Sequence, residues 1–354
     1  MKKFLIRSLL LSTCSITSMT AIAGDIDIVE ILEPPRVDIP DTEEVWGIGI
    51  EGMYLRPYNN NLGYSALTNS LLNTSTGTTY INGVVRTIDP SYNWGLRATL
   101  YHVLGDSGNL AKLSYEQFFG QESHDQYIDL QIPQELSGEV RLKFRAISLT
   151  TEQHMLIGPY WEAAFVGGLR YAHLEQDLEI NDVINVSGMF ENFYTFSPYT
   201  LKFDGVGPLL GIGSLFHLGN GFSVGAEGLA TLFVGNNRID VHETENSFNI
   251  CPSSLLCIAP SDTITFTDYD LDNTFSLVPE LYYRIYANYF YHFDDGTEIE
   301  LEAGWRANQF FNMRTRINGV GQPDAFHAAS VVGVKSDDIG FSGPYAMVHV
   351  NFGN

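Results

Sequence analysis

Along most of this 354-residue chain, apolar side chains return at every second position. Residues 297–311 show it most clearly: Ile299, Leu301, Ala303, Trp305, Ala307 and Phe311 alternate with Glu298, Glu300, Glu302, Arg306 and Asn308. In residues 139–146, Val140, Leu142, Phe144 and Ala146 alternate with Glu139, Arg141, Lys143 and Arg145. A helix would mix these sets around its circumference, whereas a strand sends them to opposite faces. The same period runs through 46–54, 94–100, 111–119, 161–171, 222–234 and 277–289, and more weakly through the Gly-rich stretches 200–218 and 338–352.

The connectors fall into two kinds that alternate. Short ones lie at 105–108, around Thr151–His154, at 219–221 and at 294–296; long ones lie at about 58–90, 120–138, 176–197, 235–274 and 314–338. Ten strands result, with both termini at the short-turn end, or twelve if a long connector hides a hairpin. This is the plan of a transmembrane antiparallel β-barrel: even strand number, short periplasmic turns, long extracellular loops. A soluble β-sandwich also alternates, but its strands are nearer six residues and its core would refuse the full charges carried here by one face. Aromatic residues near strand ends (Trp46, Tyr54, Trp94, Tyr171, Tyr291, Trp305, Phe311, Tyr345, Phe352) fit the girdles of such a barrel.

The N-terminal 23 residues read differently. Lys2, Lys3 and Arg7 precede an apolar run from Phe4 to Leu11, and Ala21-Ile22-Ala23 offers a cleavage site, so 1–23 is expected to be a secretory signal peptide. Residues 24–44, with eight acids, one Arg and three Pro, are expected to be a solvated periplasmic leader before a barrel over 45–354. No later stretch reaches 18 consecutive apolar residues, so a membrane crossing here requires a closed barrel.

Composition locates the charge. The formal net charge is −23, yet only 17% of residues are charged and 13% are aromatic. A disordered acidic chain would be poor in aromatics, and nucleic acid requires a basic face, so neither reading stands. The five long connectors carry 19 acids and 5 bases, so most of the excess acid lies outside the strands. Beyond the leader only Cys251 and Cys257 remain, and an exported chain with an even cysteine count suggests a disulfide clipping the short loop between them. No metal is expected there, because no His or second Cys pair lies near.

The polar face supplies the candidate pore lining: Glu51, Arg97, Lys112, Glu116, Glu139, Arg141, Lys143, Arg145, Glu162, Arg170, Glu227, Glu280, Arg284, Glu298, Glu300, Glu302 and Arg306. Eight bases against nine acids can act as opposed walls that orient passing solutes, or as ion pairs that fill a narrow barrel. The Arg141–Arg145 run could form an anion-binding ladder, or pair with an acidic strand such as Glu298–Glu302. The nine His are scattered, and no G-x-S-x-G, HExxH or Walker motif occurs, so neither catalysis nor a cofactor is expected.

Several phrases, in order, resemble one family: WGIGIEGMYLRP (46–57), NWGLRATL (93–100), GGLRYAHLEQ (167–176), FDGVGPLLGIGSLFHLGNGFSVGAEGLATLFVG (203–235), the stretch 278–311 and GFSGPYAMVHVNF (340–352). The chain is similar to the Legionella-type pore-forming outer-membrane proteins, the family of that genus's major outer membrane protein. The resemblance implies an outer-membrane barrel with porin-like activity and no catalytic residues; the cysteine pair and the acidic leader are not part of its pattern. The expected function is passive diffusion of small hydrophilic solutes with a weak preference for cations. The alternative is a surface adhesin or receptor acting through its loops. Expected partners are outer-membrane lipid and lipopolysaccharide, the barrel-assembly machinery through the C-terminal strand, host surfaces, and a second copy in a homo-oligomer.

Overall fold

The computed structural model describes residues 37–38, 45–59, 63–73, 78–104, 109–128, 134–186, 191–247, 263–293, 297–324 and 327–352. The expected signal peptide, nearly all of the leader, and Cys251 and Cys257 lie outside the described residues. Thirteen strands occur among them: β1 (Val37–Asp38), β2 (Val45–Asn59), β3 (Gly63–Asn73), β4 (Thr78–Thr87), β5 (Asn93–Leu104), β6 (Asn109–Ile128), β7 (Gln134–Ile157), β8 (Trp161–Val186), β9 (Glu191–Gly219), β10 (Phe222–Ser247), β11 (Thr263–His292), β12 (Glu298–Asp324) and β13 (His327–Phe352).

Ten of these close a barrel. Each pairs antiparallel with its neighbour from β5 through β13, and β2 joins the two ends by pairing with β13 on one side and β5 on the other. Closure leaves no unpaired ladder edge, which is the condition for a sheet to cross lipid. Among the described residues β3 and β4 pair only with each other. The connector 58–90 therefore does hide a hairpin, but it adds nothing to the wall.

Two expectations about connectors change. The turn expected around Thr151–His154 lies instead at Gly158–Tyr160, where Gly158 has φ 70°. Glycine takes that left-handed conformation without a Cβ clash, whereas 151–154 stay extended. The turn at 219–221 stands as expected, with positive φ at Gly219, Asn220 and Gly221. The other change is in the long connectors, whose flanks are largely paired: the ladders run on to Ile128↔Gln134, Val186↔Glu191, Ser247↔Thr263 and Asp324↔His327. Their strand character was hidden because a ladder standing in water needs no apolar outer face.

The outer face is apolar over a band next to the short-turn end. Ile48, Ile50, Leu100, Leu149, Leu169, Leu210, Ile212, Leu232, Ile285 and Leu301 are all exposed there. A continuous patch of that size would aggregate in water, whereas lipid covers it. Aromatic side chains edge it: Trp46, Trp161, Phe222, Tyr291 and Phe352 on one side, Trp94, Tyr115, Tyr171 and Tyr283 on the other. Tyr345 is an exception to the girdle expected from sequence. It is buried inside the barrel, because its register partner Gly304 shares the inner-face row of Arg306 and Glu302.

Glycine and aromatic residues face each other across the inner wall. Gly47 pairs with Tyr101 and Gly225 with Tyr286, and a Cβ on either glycine would run into the partner's ring. The ring covers the bare backbone and regains the contact that glycine lacks.

Candidate functional site

The bore is organised in three layers. Nearest the short turns is an open vestibule with a cavity of about 370 Å³. Its wall carries Lys112, whose Nζ donates to Glu152 Oε1 at 2.7 Å. His154 stands between two carboxylates, with Nε2 3.5 Å from Glu152 Oε2 and Nδ1 bonded to Glu162. His217 Nε2 reaches Glu162 Oε2 at 3.4 Å. Across the vestibule, His349 Nδ1 lies 2.9 Å from Glu300 Oε2, and Asn288 Nδ2 donates to Glu300 Oε1 at 2.8 Å.

Above it lies a buried ionic lattice. Arg306 donates to Glu51 Oε1 at 2.7 Å and to Glu116 Oε1 at 2.5 Å. Arg97 reaches the other oxygens of the same two carboxylates, at 3.3 and 2.8 Å. Arg170 Nε lies 3.1 Å from Glu280 Oε2, its Nη2 lies 3.6 Å from Glu116 Oε2, and its Nη1 donates to Ser148. Arg284 joins Glu227 to Glu302, whose Oε1 also accepts from the Tyr345 hydroxyl. Arg306 and Arg97 both stand over the Tyr282 ring, at 4.9 and 5.4 Å. Charges so far from water persist only when each has several partners. Glu116 has three arginines within 4 Å, so displacing one leaves the carboxylate neutralised.

The third layer is apolar. Phe118, Phe144, Phe203, Phe233, Phe310 and Phe341 come from six different strands and are nearly all fully buried. Their rings touch in a chain across the bore: Phe118–Phe341 at 5.2 Å, Phe341–Phe144 at 5.3 Å, Phe144–Phe310 at 5.6 Å, then Phe310–Phe233 and Phe233–Phe203 at 6.0 Å. Met53, Leu55, Leu174, Leu201 and Ile339 pack around them. The bore is closed at this level.

Of the residues proposed from sequence, Glu51, Arg97, Lys112, Glu116, Glu162, Arg170, Glu227, Glu280, Arg284, Glu298, Glu300, Glu302 and Arg306 are on the inner face. Glu139, Arg141, Lys143 and Arg145 are not. Their buried neighbours Val140, Leu142, Phe144 and Ala146 point inward, and the four charges share the outer face with exposed Ile147 and Leu149. The physical reason lies within β7 itself. Below residue 146 in height the outer face meets lipid and the inner face is polar (Ser148, Thr150, Glu152); above it the outer face meets water and the inner face is apolar. The alternation keeps its phase while the two faces exchange character. Arg141 and Lys143 accordingly pair with β8, through Glu179 at 2.8 Å and Glu175 at 2.9 Å, and not with Glu298–Glu302.

Sequence reasoning did not find Glu152, His154, His217, His349, Tyr282 or the phenylalanine layer. For Glu152 and His154 the signal was present: continuing the even-numbered positions of β7 past Ala146 places both on the inner face. Among the described residues no cluster of His, Cys, Asp and Glu has the geometry to hold a metal ion.

A closed ten-stranded barrel with an apolar belt, aromatic rims and a polar lower bore defines an outer-membrane β-barrel protein. Residues 38–352 match the family model described as Legionella pneumophila major outer membrane protein precursor, and the chain belongs to that family. Its location is the bacterial outer membrane. No curated protein matches it in sequence. Among solved structures it is similar to the outer membrane protease OmpT from Escherichia coli, at 9% identity and TM-score 0.40, covering 87% of this chain and 97% of that one. It is also similar to a Pseudomonas aeruginosa FadL homologue (7% identity, TM-score 0.23, 87% and 90% covered) and to the deltaS2 mutant of the TodX monoaromatic hydrocarbon channel (9%, 0.23, 88% and 90%). At these scores none of the three bears on function.

Proposed function

We propose that this protein is a gated, narrow porin-like passage for passive diffusion of small hydrophilic solutes, with cations weakly preferred, and that it rests closed. The observation that carries this reading is the ionic lattice at the end of an open polar vestibule. Its acids outnumber its arginines five to four, and Glu51 and Glu116 are each shared between arginines. A shared carboxylate lets an arginine swing aside without stranding a bare charge, so the lattice can rearrange at lower cost than isolated buried pairs. Opening also requires the phenylalanine layer to part, which makes openings brief.

A surface receptor or adhesin barrel without a working pore is the second reading, and the fully buried phenylalanine layer favours it. Planar-bilayer recording from folded, heat-modifiable protein separates the two. Wild type is expected to give small, infrequent conductance steps, and the double variant Phe144→Ala/Phe310→Ala longer and larger ones. If both are silent, diffusion is refuted and the receptor reading takes its place. Removing residues 248–262 is expected to leave conductance intact under the first reading and to abolish surface attachment under the second.

A further inference from the structure

Among the residues whose side chains the structure describes, the outer-face Lys and Arg other than Arg56 lie on adjacent strands from β7 to β10. The row immediately above Ile147 and Tyr171 holds Arg145, His173, Asp204 and Asn236. The next holds Lys143, Glu175, Lys202 and Arg238. These two rows carry four bases and two acids. The residues above them, Glu139, Arg141, Asp177, Glu179 and Asp240, carry one base and four acids. The sign thus reverses with height, and the positive rows are the ones that meet the edge of the lipid.

Lys143 and Arg238 have partners in Glu175 and Asp240. Arg145 and Lys202 make no hydrogen bond or close ion pair among the described residues, although Lys202 stands opposite Glu175 and attracts it. Two such cations on the outside of a chain with net charge −23 go against its overall electrostatics. Exposed aromatic rings frame them: Tyr115 and Tyr171 one row below, and Phe119 in register with Lys143. An apolar belt, aromatic rings and cations in ascending order match the order of acyl chain, glycolipid backbone and phosphate in the outer leaflet.

We propose that the outer face of β7–β10 is a binding site for the phosphorylated glycolipid of the outer leaflet, with Arg145 and Lys202 as its phosphate ligands and Lys143 and Arg238 as supporting charges. The site depends on the barrel's place in the membrane and not on the pore reading, so either can fail alone.

The test uses full-length folded protein in neutral detergent, titrated with bisphosphorylated lipid A, the same lipid stripped of both phosphates, phosphatidylglycerol and inorganic phosphate, with bound lipid counted by native mass spectrometry. Bisphosphorylated lipid A is expected to bind in a salt-sensitive manner and the stripped lipid much more weakly. R145Q/K202Q is expected to weaken binding about twenty-five-fold, the product of two charges each worth roughly a factor of five near an anionic surface. Arg56→Gln, on another strand, leaves binding unchanged. Both substitutions are on exposed or half-exposed positions, and heat-modifiability checks their fold. Equal binding of the stripped lipid, equal affinity of R145Q/K202Q, or salt-independent wild-type binding would each overturn the proposal. Phosphatidylglycerol binding as tightly as lipid A would reduce the patch to a general anionic surface and overturn it as well, as would binding of inorganic phosphate alone.

Discussion

Arg306 shows at the scale of one residue what holds the bore. Its side chain is 1% exposed, and it serves two glutamates that are themselves almost inaccessible. Changing it to Gln leaves Glu51 and Glu116 with Arg97 and Arg170 but removes their best-aligned donor. The expected loss is about 1–3 kcal/mol, the cost of leaving buried acceptors short of a donor, because each carboxylate keeps another arginine. Urea unfolding in lipid, read by loss of heat-modifiable mobility, measures it. Adding Glu51→Gln to Arg306→Met removes one acid with the one base, leaves Glu116 to pair with Arg97 and Arg170, and is expected to recover most of the loss; no recovery would mean that packing, not charge, dominates. At the same scale, Gly225→Val places a branched side chain where the Tyr286 ring lies. Off-rotamer packing of that kind costs about 1–3 kcal/mol, visible as a lower melting temperature in the same assay.

Strand β7 shows why whole elements were harder to read than residues. Its inner face runs from Val140 and Phe144 to Thr150 and Glu152, while its outer face runs from Arg141 and Lys143 to Ile147 and Leu149. An upper segment standing in water has its own electrostatics. Burial is the largest influence on the Glu175 carboxyl and raises its pKa, but the hydrogen bond and charge of Lys143, with the charges of Lys202 and His173, together outweigh it and hold the group below its ordinary 4.5. That hydrogen bond in turn raises the ammonium above its ordinary 10.5. The acid's contribution is present above 4.5 and fades as pH falls through its lowered pKa. The lysine's is present below 10.5 and fades as pH rises through its raised one. Carbon-13 NMR of labelled glutamate is expected to show a midpoint below 4.5 that moves upward in Lys143→Gln. Stability at neutral pH should change by less than about 1 kcal/mol, because the pair is partly exposed and screened.

For the molecule as a whole, the barrel separates charge by height. Acid is scarce on the lipid-facing wall and abundant in the connectors beyond it. If solutes pass, the long-loop mouth concentrates cations over a Debye length, about 10 Å at 0.1 M salt. The reversal potential under a salt gradient is expected to favour cations, and more strongly at 0.01 M, where screening reaches about 30 Å. An anion preference, or selectivity indifferent to salt, would contradict this account.

The period of two, the ten-strand plan and the inner placement of Arg97, Glu116, Arg284 and Arg306 were legible from sequence, because within the lipid each residue's solvent is dictated by its face. Strand ends and the face polarity of 139–145 were not, because the same alternation serves a wall in lipid and a wall in water, and only height along the barrel distinguishes them. Nor could a linear reading foresee that Phe118, Phe144, Phe203, Phe233, Phe310 and Phe341 meet. Each is one apolar residue on its own strand, and only shear and closure bring six strands to one level of the bore. The chain by itself determined that a barrel forms; closure in three dimensions decided which band of it faces lipid and that its interior is shut.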